Sequence, residues 1–144
     1  MMKLPSTVLL AALGLVLLLC LPAVLADRCG GNCPSNNCNS CPCGTTPAYT
    51  DVASACRRFN GWSQSCCECI IRHESGGNLH AVNHNRGGSN DVGLWQINDM
   101  NWSSCNGGHA PCDLESNLKC AIKVWGWGHN SFRLWSTCKA CGCC

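Results

Sequence analysis

Two acidic residues, Glu74 and Asp91, have the types and surroundings best suited to bond-breaking chemistry. Glu74 follows an apolar run, C-I-I-R-H, where partial loss of contact with water would raise the pKa of its carboxyl group. Asp91 follows a glycine-rich reversal, N-R-G-G-S-N, whose asparagine and serine side chains can donate hydrogen bonds that keep it ionised. One neutral and one charged carboxyl group are what hydrolysis of a glycosidic bond requires. The pair therefore predicts a site that cleaves glycosides.

A helix and a hairpin have to position these two carboxyl groups. The apolar residues before Glu74 predict a helix that opens with a capping box, S-C-C-E, in which Ser65 is the cap and Glu68 reaches back. Gly76 and Gly77 end this helix just after Glu74. The reversal at 85–90 predicts a hairpin tip between two short extended segments. A helix end facing a hairpin would place one carboxyl group on each wall of a cleft.

The remaining pattern indicates a small, mainly helical α+β domain that is rich in disulfides and carries a short β-hairpin wing. Thr50 or Asp51 can cap a first helix that runs to Phe59. Asp113 can cap a long helix with apolar residues at helical spacing. The stretch 99–112 between the hairpin and this long helix is predicted to be a loop.

The segment from Glu74 to Asn98 resembles the active-site segment of C-type (animal-type) lysozymes. It contains, without a gap, E-S, then A-x-N-x-N, then G-S-x-D, then G-x-x-Q-I-N. The resemblance extends over roughly residues 52–138 and implies a lysozyme-like fold. It also implies hydrolysis of β-1,4 bonds in N-acetylated polysaccharide, above all bacterial peptidoglycan. In that reaction Glu74 is the general acid and Asp91 is the nucleophile or electrostatic stabiliser.

The same resemblance implies a set of supporting residues. Trp102 is the candidate for an aromatic platform under a sugar, and Phe132 falls where the family places an aromatic ring against the catalytic glutamate. Trp125 and Trp135 are interpreted as core residues. By position, Cys69 is expected to pair with Cys138. The substrate-binding residues that we expect are Asn83, Asn85, Ser89, Gln96, Asn98, Trp102 and Phe132.

Three other interpretations of the motif remain open. Lytic transglycosylases share an E-S start followed by a G-L-x-Q-I-like run, but they have no need of a second acid, so Asp91 favours hydrolysis. A chitin-cleaving enzyme would use the same two acids. A non-catalytic binding protein of the lactalbumin sort typically lacks one or both of them.

The cysteines indicate how the chain is organised. Residues 1–26 combine a short apolar run with a small-residue ending, which is typical of a secretory signal peptide. Removing them takes Cys20 from a total of 17 and leaves 16, which can form eight disulfides in an oxidising compartment. Residues 27–50 form a Cys-rich segment, and 51–144 form the lysozyme-like catalytic domain. The early part of the Cys-rich segment has no His, which favours disulfides over zinc. Whether it is a ligand-binding appendage or a tether stays open.

Net charge and composition limit the classes of binding partner that the sequence indicates. Loss of the signal peptide removes Lys3 and leaves nine Lys plus Arg against eight Asp plus Glu, so nucleic-acid binding is not indicated. We expect no cofactor, no metal and no membrane span after signal removal, and we expect a monomer that acts on cell-wall polysaccharide. Five His residues and a protonated Glu74 favour acid conditions. The protein is therefore expected to be secreted or to reach an acidic lumen such as a lysosome or phagosome.

Overall fold

The computed structural model describes residues 28–144, in which helices pack beside a small antiparallel sheet. This arrangement confirms the mainly helical α+β fold with a hairpin wing. The predicted signal peptide at 1–26 lies outside the described residues. The helices are α1 Val52–Cys56, α2 Gln64–Glu74, α3 Trp102–Asn106 and α4 Leu114–Trp127. The strands are β1 Val82–His84, β2 Asn90–Val92 and β3 Ile97–Asn98. Two 3₁₀ turns span Asp99–Asn101 and Ser136–Cys138.

Helix α2 ends at Glu74 as predicted, but it begins earlier than the sequence suggested. Its cap is Ser63, whose side chain accepts a hydrogen bond from the backbone N–H of Cys66. The predicted capping box is therefore wrong, because Ser65 already lies inside the first turn. Glu68 lies one turn further on, where its carboxylate is 3.4 Å from the guanidinium of Arg72. This exposed pair lies along the helix surface and leaves Glu74 as the acid at the helix end.

Helix α1 is shorter than predicted. Asp51 caps it by accepting a 2.7 Å hydrogen bond from the backbone N–H of Ser54. The chain then tightens into a turn, and the N–H of Phe59 bonds to the carbonyl of Cys56, three residues back. The turn lets the ring of Phe59 meet the ring of Trp62 edge to face, with centroids 4.9 Å apart. Packing of aromatic rings thus replaces the last predicted turn of helix.

The hairpin forms as predicted and gains a third strand. Strand β1 pairs with β2 so that Asn83 lies opposite Asp91, and β2 pairs with β3 so that Asp91 lies opposite Asn98. Asp91 therefore sits on the central strand of three. The stretch 99–112, predicted to be a loop, contains a 3₁₀ turn and helix α3.

A buried asparagine joins the long helix to this sheet. Asn117 of α4 donates to the carbonyl oxygens of Val92 (3.1 Å) and Pro111 (2.8 Å). Its own side-chain oxygen accepts from the backbone N–H of Trp95 at 3.1 Å. Gly93 makes this approach possible, because a Cβ there would lie 2.0 Å from the Asn117 amide nitrogen and the backbone has a φ of +82°. The link aligns strand β2, and with it Asp91, against the helical half.

Eight disulfides include all 16 cysteines of residues 28–144. The expected pairing of Cys69 with Cys138 is wrong. Cys66 and Cys69 lie one turn apart on α2, so their side chains share a helix face and engage two cysteines of the C-terminal tail. The pairs are Cys29–Cys41, Cys33–Cys38, Cys43–Cys112, Cys56–Cys67, Cys66–Cys143, Cys69–Cys141, Cys105–Cys120 and Cys138–Cys144.

The Cys-rich segment is packed onto the edge of the sheet. The carbonyl oxygen of Asn32 accepts a 2.8 Å hydrogen bond from the N–H of Val82, and the Asn37 side chain donates to the carbonyl of His84 at 3.1 Å. Its cysteines contribute to a small second core with Val82 and Val92. The segment thereby covers the outer edge of β1, which would otherwise expose unpaired backbone groups.

Candidate active site

Glu74 is the last residue of α2 and lies half-buried at the cleft wall. Burial raises the pKa of its carboxyl group, since the charged form loses contact with water. The Thr137 hydroxyl opposes this by donating a 2.6 Å hydrogen bond to Oε1 of Glu74, which lowers the pKa. The negative charge of Asp91 raises the pKa again. The net direction is upward, which favours a protonated Glu74 able to donate a proton.

Asp91 is held by two side-chain amides. Asn85 donates to Oδ2 of Asp91 at 2.8 Å, and Asn98 donates to Oδ1 at 2.7 Å. Each amide also donates to the Ser89 hydroxyl oxygen, at 3.1 Å and 3.0 Å respectively. Hydrogen bonds to both oxygens stabilise a carboxylate and fix its orientation. Three residues predicted to support Asp91 are therefore in contact with it or with its donors.

The two carboxyl groups lie where two arms of a cleft meet. We call the smaller cavity, with a volume of about 250 Å³, the short arm, and the larger cavity, of about 590 Å³, the long arm. Four residues line both arms: Glu74, Asp91, Gln96 and Ser136. An extended ligand could thus pass the two carboxyl groups and continue on either side.

The predicted polar contacts divide between the arms. Asn98 lines the short arm, whereas Asn83 and Asn85 line the long arm. Gln96 has a left-handed backbone with a φ of +47°, and its amide donates to the carbonyls of Ala81 and Gly93 at 3.1 Å and 2.9 Å. These bonds hold the turn between β2 and β3 that forms the junction of the arms.

The two aromatic residues predicted to contact the substrate both pack against the core. Phe132 is 3% exposed, and its ring packs against Trp62 and Trp135 with centroids 5.5 Å and 5.3 Å apart, so it belongs to the core and not to the cleft surface. Trp135 is buried as predicted, yet it also lines the short arm with Glu74. Trp102 donates its indole N–H to the carbonyl of Ile97 at 3.0 Å and packs against both core clusters. A sugar contact by Trp102 stays a prediction.

Several contacting residues were not found from the sequence. Thr137 is 63 positions from Glu74, and no local pattern marks it. Ser75 follows Glu74 in the motif, and its hydroxyl donates to the carbonyl of Leu94 at 2.9 Å, which joins the helix end to the sheet side. Tyr49, outside the motif, lines the long arm.

A histidine beside the site lies close to two sulfur atoms. Among residues 28–144, a side-chain nitrogen of His73 lies within 4.8 Å of the sulfurs of Cys69 and Cys141. Those sulfurs are bonded to each other. Thiolates are the form in which cysteine binds metals, so the disulfide removes this trio as a metal site.

Comparison with known proteins shows similarity to lysozymes. The family described as "Lysozyme like domain" matches residues 68–137, which contain both acids and Thr137. Residues 68–137 are thus similar to a lysozyme-like domain. Lysozyme X of Drosophila melanogaster is 37% identical over 87 residues, covering 51% of this chain and 60% of that protein. Lysozyme C of Takifugu rubripes is 38% identical over 63 residues, covering 44% of this chain and 43% of that protein. Lysozyme of Bombyx mori is 43% identical over 53 residues, covering 37% and 36% respectively.

This chain therefore spans between about a third and three fifths of the length of these relatives. The matched family region begins within α2 and ends at Thr137, so it leaves out the Cys-rich segment and α1. No helix among residues 28–144 has the length and apolar character needed to span a bilayer.

Proposed function

We propose that the lysozyme-like domain is a glycoside hydrolase of the muramidase type that cuts β-1,4 bonds in bacterial peptidoglycan. The observation that carries the proposal is the pair of unlike carboxyl groups at the junction of the two arms. Glu74 is half-buried with a raised pKa, whereas both oxygens of Asp91 accept amide hydrogen bonds. The names of the three relatives support the substrate class.

In the proposed reaction, Glu74 protonates the glycosidic oxygen as the bond from that oxygen to the anomeric carbon breaks. Asp91 bonds to the anomeric carbon or stabilises its positive charge on the opposite face. Water then attacks the anomeric carbon and transfers a proton to Glu74, which restores both carboxyl groups. The product keeps its anomeric configuration. Both acids, and the groups that tune them, come from the chain, so the reaction as proposed needs no cofactor or metal.

Substitution of Glu74 by Gln tests the assignment. The amide has nearly the same shape and can still accept the Thr137 hydrogen bond, but it cannot donate a proton to the leaving oxygen. We expect the rate of wall lysis to fall by about 10²–10⁴-fold. Glu68→Gln is the matched control, because Glu68 is an acid on the same helix that pairs with Arg72 on the surface. Loss of turbidity of a bacterial wall suspension and circular dichroism of both variants provide the measurements.

The outcome separates catalysis from binding. Substantial lysis by a folded Glu74→Gln variant would overturn the role of Glu74, and no lysis by the parent protein would overturn the proposed function. Product analysis decides between hydrolysis and the transglycosylase reaction. Hydrolysis leaves reducing ends of retained configuration, whereas an internal anhydro ring would contradict hydrolysis.

Parallel digestion of chitin measures whether peptidoglycan is preferred.

We further propose that the protein works as a secreted monomer, with 1–26 as its signal peptide and 51–144 as its catalytic domain. The eight disulfides support folding in an oxidising compartment. Mass measurement of the secreted protein, together with light scattering, checks the cleavage point and the monomeric state. An acidic digestive compartment is the working site favoured by the raised pKa of Glu74.

A further inference from the structure

We propose that Tyr49 and the Cys-rich segment form an additional sugar-binding subsite in the long arm. This inference rests on the proposed function, since it assigns part of the same polysaccharide to a second region of the cleft. Tyr49, Pro34 and Ser35 lie outside the matched family region of 68–137. Three observations carry the proposal: an exposed aromatic ring, a hydrogen-bonded backbone at that ring, and a disulfide-closed loop that lines the same arm.

Tyr49 presents its ring to solvent at the cleft. Its side chain is 71% exposed, yet Tyr49 lines the long arm together with Glu74 and Asp91. An exposed aromatic ring inside a cleft can stack on an apolar ligand face, and covering the ring removes apolar area from water. The apolar face of a pyranose ring is a suitable partner for the Tyr49 ring. The phenolic hydroxyl can form a hydrogen bond with a sugar hydroxyl at the solvent-exposed edge of that ring.

The backbone beneath this ring is held firmly to the loop that follows Glu74. Tyr49 forms an isolated antiparallel bridge with Asn78. On either side, the N–H of Thr50 bonds to the carbonyl of Gly77 at 3.0 Å, and the N–H of Leu79 bonds to the carbonyl of Ala48 at 2.7 Å. These bonds place the Tyr49 backbone in fixed register with the end of α2. A ring on such a backbone loses little conformational freedom when it binds a ligand.

The Cys-rich segment also lines the arm. Pro34 and Ser35 line it and lie inside the short loop closed by the Cys33–Cys38 disulfide. The side chain of Asn37 joins this loop to the sheet by a 3.1 Å hydrogen bond to the carbonyl of His84. The loop is therefore bonded to strand β1, which carries Asn83.

The lining predicts a neutral, hydroxyl-rich and amide-rich ligand. Asn83 and Asn85 offer side-chain amides along the same wall. Among the described residues that line this arm there is no Lys or Arg, and His73 is the single basic side chain. A strongly anionic group would therefore find little charge complementarity here. The ligand that fits is an uncharged sugar ring such as an N-acetylhexosamine, bound in the arm that contains both Tyr49 and the carboxyl pair.

The volume of the long arm agrees with that assignment. At about 590 Å³ it is more than twice the 250 Å³ of the short arm, and it lies within the range of roughly 300–1,000 Å³ that is usual for ligand clefts. The Cys-rich segment thus extends the bound length of polysaccharide beyond the carboxyl pair.

The test compares binding of β-1,4-linked N-acetylglucosamine oligomers of increasing length to the catalytically disabled Glu74→Gln protein. Adding Tyr49→Ala should weaken binding of the long oligomers roughly three- to tenfold and leave binding of the shortest oligomer unchanged. Tyr49→Phe should retain most of the affinity because it keeps the stacking face. Trp127→Ala is the matched control, since Trp127 is 45% exposed, lies on α4 with the Lys123 ammonium over its ring, and lines neither arm. Calorimetry gives the dissociation constants.

Each outcome points to one conclusion. Equal affinities for the parent and Tyr49→Ala proteins across all lengths would overturn the subsite while leaving the hydrolase assignment intact. Equal losses in Tyr49→Ala and Trp127→Ala would also overturn it, because the effect would then be general to exposed aromatics. If the otherwise unsubstituted protein neither binds these oligomers nor lyses walls, the proposed function itself fails.

Discussion

At the scale of single residues, the proton of Glu74 is controlled by two opposing effects. Burial raises the pKa of its carboxyl group, whereas the Thr137 hydroxyl donates to the carboxylate and lowers the pKa. A general acid works only while it is protonated, so the pKa of Glu74 sets the high-pH limit of the proposed activity. Thr137 is therefore a positioning and tuning residue, although it lies in the tail and far from the motif.

Substitution of Thr137 by Val removes the hydroxyl and keeps the shape of the side chain. The charged form of Glu74 then loses a hydrogen bond, so the pKa of Glu74 rises further. We expect the high-pH limb of the profile of kcat/KM against pH to move to higher pH. The measurement is hydrolysis of a soluble oligosaccharide across a pH series. Thr137→Ser keeps the hydroxyl and should leave the limb in place. A Val variant whose limb moves to lower pH would contradict this assignment.

At the scale of elements, the alignment of the helical half with the sheet depends on Asn117. Its amide satisfies the carbonyl of Val92, next to Asp91, while its oxygen accepts the N–H of Trp95. Asn117 is fully buried, so loss of its side chain leaves its backbone partners out of contact with bulk water. The same contact explains why the motif requires Gly93.

Asn117→Ala should lower the free energy of unfolding by about 2–4 kcal/mol, because it leaves three buried backbone groups without a partner. Urea unfolding with the disulfides intact measures this change in the free energy of unfolding. Asn106→Ala is the control. It also removes an asparagine amide bonded to a backbone carbonyl, that of His109, but on the exposed end of α3. Equal, small losses in the two variants would show that the alignment does not depend on Asn117.

At the scale of the whole molecule, disulfides and surface charge govern how the protein meets its substrate. Long-range disulfides join the Cys-rich segment to the start of α4 and join the tail to α2. These cross-links compensate for the small core of a domain this size. The formal net charge is only +2 with neutral His, so attraction to an anionic wall is weak near neutrality.

The raised pKa of Glu74 predicts that wall lysis is fastest on the acid side of neutrality, because a general acid works only while it is protonated. Lysis of whole bacteria, followed over a pH series at low salt, measures the position of this maximum. Hydrolysis of a small neutral oligosaccharide over the same series should show the same high-pH limb, because it depends on the same carboxyl group. A lysis maximum at or above about pH 7 would contradict the proposed acidic working site.

The local part of this molecule could be predicted from the sequence. Helix ends, caps and tight turns depend on neighbouring residues, so the end of α2 at Glu74, the cap at Asp113 and the hairpin carrying Asp91 follow from patterns a few residues long. The same holds for the contacts with Asp91, because strand register places Asn98 opposite it and Asn85 lies in the turn directly after β1.

Contacts between distant segments were decided by tertiary structure alone. Cys69 has four tail cysteines within reach by sequence, and the choice of Cys141 depends on how the tail crosses α2. Phe132 and Trp135 are near neighbours in the sequence, yet of the two Trp135 lines the short arm. The Phe132 ring packs against Trp62, whereas the Trp135 indole N–H donates to the backbone carbonyl of Trp95. The arrival of Thr137 at Glu74 and of the Cys-rich segment at the long arm likewise depends on packing, since no local rule specifies which surfaces meet when a chain closes loops of many residues.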